Sequence, residues 1–198
     1  MTQQMTQSMS QAHILAFAGS NRKDSMNRKA LSIAVAGARE AGAIVTVADL
    51  REFDMPIYDA DSHEANGLPE GMLALRKLAM AANGLLIASP EYNASITPLL
   101  KNTIDWLSQS VNGESGSAPF ANKICGLMGA SNGAFGTIRA LPHVAYILSN
   151  LGAFVLPVVA VPRAAELMNA DGTIKDERAG KMLHQLGKKV AETIIKLS

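Results

Sequence analysis

Residues 13–41 read HILAFAGSNRKDSMNRKALSIAVAGAREA. The apolar run His13–Gly19 has the length and composition of a buried strand, and a helical stretch follows over Asn27–Ala41. Between them lies the polar turn Gly19-Ser20-Asn21-Arg22-Lys23-Asp24-Ser25-Met26-Asn27. The first-turn N–H groups of a helix have no intrahelical acceptor, and the macrodipole adds about 0.3–1 kcal/mol for a favourably placed charge. A tight turn feeding a helix start is therefore a seat for an anion. Ser20 and Ser25 offer hydroxyls, Asn27 a carboxamide and Arg22 a charge-assisted pair. The same residues also describe an ordinary N-cap loop with solvated Arg22 and Lys23. Position decides for phosphate: the turn follows the first strand of an open α/β pattern, where ligands collect at the strands' carboxyl ends. Neither G-x-x-x-x-G-K-[ST] nor G-x-G-x-x-G occurs there, so a phosphomonoester fits better than a triphosphate or a dinucleotide.

Outward from this turn, short apolar runs alternate with helical patterns. Strands are expected near His13–Gly19, Ala43–Asp49, Gly84–Ser89, Lys123–Ala130 and Ala153–Val161. Helices are expected near Asn27–Ala41, Pro69–Ala82, Pro98–Ser108, Thr137–Leu151 and Asp176–Leu197. Strict alternation of this kind implies an α/β fold with a parallel sheet covered on both faces. The runs LLIAS and FVLPVVAV suit doubly buried strands, and Pro157 inside the second sends that strand to a sheet edge. In the last helix Ala179, Met182, Leu183, Leu186, Val190, Ile194 and Leu197 form one stripe, and His184 falls about 140° from Ala179, on the solvated side.

The chain has 198 residues, within the range of one domain, and 48% are hydrophobic, enough for a sizeable core. Residues 1–12 carry no Lys, Arg or apolar segment; they are expected to be a mobile tail ahead of one domain over 13–198, neither signal peptide nor basic arm. A formal net charge of +1 without a basic tract argues against a nucleic-acid partner. The uncharged stretch Ala140–Pro162 is broken by Pro142, His143, Gly152 and Pro157, so a membrane span is not expected. Cys125, the single cysteine, can form no internal disulfide and is expected in the core, which fits a cytoplasmic location.

After the third strand comes Pro90-Glu91-Tyr92-Asn93-Ala94-Ser95, then Thr97 and Pro98, an N-cap and first-position pair that opens a helix continuing to Trp106 and Leu107. An aromatic at a strand's carboxyl end is placed to lie against a flat ligand, though Tyr92 taken alone reads first as a half-buried packing anchor. The turn GSNRKDSMN followed by PEYNASITPLLKNTIDWLS resembles the NADPH-dependent FMN reductase family, whose pattern is G-S-x-R-x-x-S-x-N and then P-E-Y-N-x-S-x-x-x-x-L-K-N-x-I-D-W. Both motifs are complete and in order. The resemblance implies a flavodoxin-like three-layer sandwich with a five-stranded parallel sheet in the order 2-1-3-4-5. It implies bound FMN, NADPH or NADH as electron donor, and acceptors such as quinones, free flavin, azo compounds or chromate. Donor and acceptor would use the same face in turn.

Carried over by motif, Ser20, Arg22, Ser25, Met26 and Asn27 would hold the FMN phosphate end. Pro90, Glu91, Tyr92 and Asn93 would line the isoalloxazine ring, and Gly129, Ser131 and Gly133 would border its pyrimidine edge. No side chain is expected to be catalytic in itself, because the flavin carries the chemistry. Asp24 must then point away from the phosphate, and Ile96-Thr97-Pro98-Leu99 stands where many relatives have small residues. Helix Pro98–Ser108 carries apolar residues on two faces, with Leu99 and Trp106 on the second. That second face is expected to form a homodimer or homotetramer interface, as the resemblance also implies.

Two other readings compete. Gly129-Ala130-Ser131-Asn132-Gly133 spells G-x-S-x-G between a strand and a helix, the setting of a serine hydrolase nucleophile, with Asp171 and His184 following in order. One strand after Ser131 leaves too little sheet to carry the acid and base loops. A non-catalytic FMN-binding electron carrier is the other alternative. His13 and His63 show no metal-ligand spacing, and the segment Asp54–Asp59 carries no chemistry assignable from spacing, a surface lid being one reading of it.

Overall fold

The computed structural model describes residues 11–169 and 173–198. The expected tail therefore falls largely outside the described residues, as does Asp171. Ala12 is fully buried and its carbonyl accepts from Ile44 N.

The chain runs β1 (His13–Ala18), α1 (Met26–Glu40), β2 (Ile44–Ala48), a 3-10 turn at Leu50–Glu52, α2 (Ala60–Asn66), α3 (Glu70–Ala81), β3 (Gly84–Ala88), α4 (Pro98–Leu107), β4 (Ile124–Ala130) and α5 (Ala140–Asn150). It closes with β5 (Phe154–Val155), β6 (Val159–Val161), α6 (Ala164–Leu167) and α7 (Glu177–Leu197). All pairings between strands are parallel, and the order is β2-β1-β3-β4-β5, with β6 also on β4. The flavodoxin-like order expected from the sequence holds; the short helices α2 and α6 were not expected, and one strand differs. The fifth strand is cut at Leu156-Pro157-Val158 into two short pieces: β5 pairs at the start of β4 and β6 at its end. Proline lacks the N–H that a continuous ladder requires, so the edge position was legible and the gap was not.

Side chains of β1 alternate between two cores, Ile14 and Ala16 facing α1 and α7, Leu15 and Phe17 facing α3, α4 and α5. On the first face the backbones of α1 and α7 approach closely at two glycines. A Cβ on Gly37 would stand 2.0 Å from His184 O, and one on Gly187 1.7 Å from Ala34 O. The α7 stripe is slightly narrower than expected: Leu183, Leu186, Val190 and Ile194 are buried, whereas Met182 and Leu197 are exposed. His184 is half-buried rather than fully solvated, with Nε2 3.1 Å from Glu40 Oε2.

The second face of α4 departs from expectation. Trp106 is 2% exposed because the chain itself covers it. Its Nε1 donates to Pro56 O at 2.6 Å, and the Tyr58 and His63 rings meet it edge-on at 4.9 and 5.5 Å. Asn102 fastens the same strap, its Oδ1 accepting from Tyr58 N and its Nδ2 donating to Met55 O and Pro56 O. The segment whose role the sequence left open is thus a cover bonded to α4, continued by α2. Trp106 is an intramolecular anchor and contributes no free face for a second copy. Among the described residues no helix is long and apolar enough to cross a membrane.

Candidate functional site

At the carboxyl ends of β1, β3 and β4 three loops enclose a cleft lined by Ser20, Arg22, Ser25, Met26, Asn27, Pro90, Glu91, Tyr92, Ala130, Ser131 and Asn132. Of the residues singled out in the sequence, the cleft gathers all but three: Asn93, Gly129 and Gly133. Ala130 and Asn132, passed over in the sequence, join it because they flank Ser131.

The first wall is the turn after β1. Ser25 is the N-cap of α1, its Oγ accepting from Arg28 N, which leaves the hydroxyl proton free to donate. Ser20 is 6% exposed and accepts from Arg22 N at 3.4 Å. Arg28 braces the turn from behind, donating to the carbonyls of Arg22 and Lys23 and to Asp49 at 3.1 Å. Asp49 is also clasped by Arg51, and these hydrogen bonds hold its carboxyl down at about 2. Asp24 turns outward to Lys29 at 2.7 Å, and that contact lowers its pKa. The negative charge in the turn is thus led away from the cleft, as an anion there requires. Asn27 behaves differently from expectation. Its Nδ2 donates to Ala130 O and its Oδ1 accepts from Ala130 N, both at 2.9 Å, so the carboxamide joins the first wall to the end of β4.

The second wall is the turn after β3. Tyr92 and Ser95 exchange backbone hydrogen bonds at 2.9 and 3.0 Å, and the two residues between them, Asn93 and Ala94, have φ of 49° and 64°. This two-residue reversal presents Tyr92 at 51% exposure. Glu91 does not offer a free carboxylate: it accepts from Arg139 Nε at 2.7 Å, from Arg139 Nη2, and from the N–H groups of Arg139 and Ala140 at 3.1 Å. Burial alone would raise its pKa, but Arg139 and the start of α5 hold the carboxyl below the usual range. Glu91 therefore ties the second wall to the third.

The third wall follows β4. Ser131 N donates to Val161 O, and Asn132 Oδ1 accepts from Ala165 N. Gly129 lies behind this wall, where a Cβ would stand 2.0 Å from Thr137 Oγ1 and 2.5 Å from Ser89 O. It is a packing glycine and not a cleft residue. Gly133 lies beyond the cleft, its carbonyl accepting from Gly136 N and Arg163 N.

The donor set fits FMN. Two serine hydroxyls, an arginine and a helix start meet at one end, the one carboxylate in the cleft is neutralised by Arg139, and an exposed tyrosine stands at the rim. The enclosed volume, about 160 Å³, is below the roughly 300–1,000 Å³ of complete small-molecule pockets. Among the described residues the hydrolase arrangement is absent. Ser131 lines the cleft near the start of α1, whereas His184 pairs with Glu40 at its other end, and 15 helical residues at about 1.5 Å each separate them by roughly 20 Å. A serine–histidine contact among the described residues joins Ser95 Oγ and His143 Nδ1 at 3.0 Å. Among the described residues no cluster of His, Cys, Asp or Glu could hold a metal ion.

Residues 12–166 match the family model described as NADPH-dependent FMN reductase. The chain is 35% identical over 174 residues to an NAD(P)H-dependent FMN reductase of Pseudomonas aeruginosa, covering 87% of this chain and 89% of that relative. It is 34% identical over 146 residues to a quinone reductase of Escherichia coli, covering 72% of each. Among solved structures, FerB, a flavoenzyme NAD(P)H:(acceptor) oxidoreductase from Paracoccus denitrificans, superposes with a TM-score of 0.78 at 27% identity, over 93% of this chain and 98% of that one.

Proposed function

The chain belongs to the NADPH-dependent FMN reductase family and is an FMN-dependent NAD(P)H oxidoreductase, and from that premise we propose that the three-walled cleft seats the FMN and that quinones are the acceptors. The observation that carries this reading is the donor-rich first wall beside a neutralised Glu91. Ser20, Arg22, Ser25 and the first turn of α1 take the phosphate. Pro90, Glu91, Tyr92 and Asn93 form the wall beside the ring through their backbone and the tyrosine, with Ala130, Ser131 and Asn132 at the opposite edge. Met26 lines the cleft and packs against the core beneath it, and Asn27 holds the walls in register. Bound there, FMN supplies the two-electron hydride chemistry. The chain's residues bind and orient. Arg22 attracts anions, and the pairing of Glu91 with Arg139 removes the charge that would repel them. Donor and acceptor take turns on the open side at Tyr92.

The small enclosed volume supports a second reading of the same site, that a second copy completes it. Beside the Tyr92–Ser95 turn an apolar groove is lined by Ile96, Pro98, Tyr146 and Ile147, with Tyr146 70% exposed. A homodimer or homotetramer built on this groove replaces the Trp106 face expected from the sequence. Light scattering at micromolar concentration tests it; a monomer removes it. The buried, unpaired Cys125 supports a cytoplasmic setting.

The experiment for the function is a visible spectrum after FMN loading and desalting, followed by NADPH without oxygen. Retained bands that bleach support the reductase and its cleft. Retained bands that persist indicate a carrier, and loss of flavin on desalting refutes the phosphate seat.

A further inference from the structure

Lys123 is 7% exposed, yet it lies in the wall of a cavity of about 380 Å³ at the amino ends of the strands. β4 begins at the next residue and ends at Ala130, so seven residues at about 3.3 Å each place this cavity roughly 20 Å from the three-walled cleft. Lys123 Nζ donates to Ala82 O, the carbonyl that ends α3. An ammonium has three donors, and Lys123 has no ion-pair partner among the described residues. Ser198 also lines the cavity, but among the described residues no carboxylate lies within ion-pair distance of Nζ, and a buried charge bonded to one neutral carbonyl is poorly compensated. In keeping with this, burial pushes its pKa down.

The rest of the lining has two characters. Asn83 and Asn122 line the same cavity; Asn83 Oδ1 is taken by His13 N, which leaves its amide protons as donors. Met80 of α3, Phe154 of β5 and Leu197 of α7 bring large apolar side chains to the mouth, exposed by 38%, 59% and 73%. Three separate elements thus converge apolar groups on one buried cation. Such a cavity complements a molecule with one anionic end and one apolar end.

We propose that this cavity binds a monocarboxylate with an apolar tail, its carboxylate on Lys123 Nζ and its tail over Met80, Phe154 and Leu197. The ligand supplies the counter-charge that the fold withholds from Lys123, and the Ala82 carbonyl and the carboxylate then share the ammonium. A neutral molecule of the same shape gains only the apolar contact.

Octanoate is the probe, titrated below its micelle concentration into the ¹⁵N-labelled protein carrying FMN. The expected result is saturable shifts of the Lys123 and Phe154 amides with the flavin bands unchanged. Lys123→Met weakens octanoate at least about tenfold, or ~1.4 kcal/mol, and octanol binds the wild type no better than octanoate binds that variant. Should Lys123→Met fail to fold, Phe154→Thr at its exposed position serves instead, weakening octanoate while leaving acetate unchanged. Absence of saturable shifts, equal affinity for octanoate and octanol, or octanoate binding indifferent to these substitutions overturns the proposal.

Discussion

Asn27 grips Ala130 with both ends of its carboxamide, donating to the carbonyl and accepting from the N–H at 2.9 Å each, across 103 positions of sequence. The pair is buried, Asn27 being 4% exposed, and it fixes the turn after β1 against the last residue of β4. Asn27→Ala leaves two backbone groups of Ala130 unsatisfied in a dry setting. We expect a loss of about 2–3 kcal/mol in urea unfolding of the FMN-free protein, with weaker FMN binding following from misplaced walls. Unchanged stability with weakened FMN would instead put Asn27 on the phosphate.

Arg22 should show the opposite pattern. Its guanidinium is exposed, while its carbonyl is what Arg28 holds, so Arg22→Ala keeps the brace. FMN affinity should fall by roughly 1.5–3 kcal/mol, about ten- to a hundredfold, with the unfolding midpoint of the FMN-free protein unmoved. Fluorescence titration at two salt concentrations checks this, because the arginine's share should shrink as salt rises.

Glu91 makes flavin retention depend on acid. Its carboxyl sits below the usual range in the folded protein. A depressed carboxyl contributes stability that is complete above its unfolded pKa, about 4.3, and that is lost as pH falls through the lower folded value. The Glu91–Arg139 tie should therefore hold at neutral pH and open only below about pH 4. Glu91→Gln imitates the protonated form and should weaken FMN at neutral pH, flattening the acid limb of a plot of FMN affinity against pH. An unaltered acid limb in that variant would assign it to another group.

These relationships explain what the sequence could and could not reveal. The turn over Gly19–Asn27 was readable because strand, turn and cap are contiguous, and local chemistry dictates each. Pairings such as Asn27 with Ala130, Glu91 with Arg139 and Ser95 with His143 join residues far apart in the chain on different elements and loops, and no periodicity announces them. Trp106 misled for the same reason. An apolar face on α4 is consistent with a partner chain or with a strap of the same chain, and only the fold brings Pro56, Tyr58 and His63 over it. Helical spacing placed His184 off the core stripe, but its pairing with Glu40 depends on how closely Gly37 and Gly187 let the helices approach.

Arg76 shows how α3 holds the end of α4 and the loop that follows it. It is 3% exposed, donating from Nη1 to Leu107 O at 2.9 Å and Gln109 O at 3.2 Å, and from Nη2 to Ser115 O at 3.1 Å. Arg76→Met keeps the apolar stem and abandons three carbonyls. The loss should be on the order of 3 kcal/mol in thermal or urea unfolding, and FMN affinity should be unchanged in the fraction that remains folded. A variant that lost FMN at full stability would contradict a purely structural role.

Gly129 separates packing from flavin contact. A Cβ there would overlap Thr137 Oγ1 and crowd Ser89 O, both behind the third wall. Thr137 has little room to yield. It is 1% exposed, its φ is 124°, and its Oγ1 has no hydrogen-bond partner among the described residues. That φ is a rare conformation for a β-branched residue, and strain of this kind costs on the order of 1–3 kcal/mol. Gly129→Ala must push the segment from Ser131 to Arg139 outward, and Arg139 is the partner that neutralises Glu91. We therefore expect a stability loss of about 1–3 kcal/mol together with weaker FMN binding, although the glycine does not line the cleft. Thr137→Gly in the same background removes both the obstructing hydroxyl and the strained φ, and it should recover most of the loss. If Gly129→Ala weakens FMN and Thr137→Gly restores nothing, the glycine acts by direct approach to the ring, as its motif suggested, and not through the third wall.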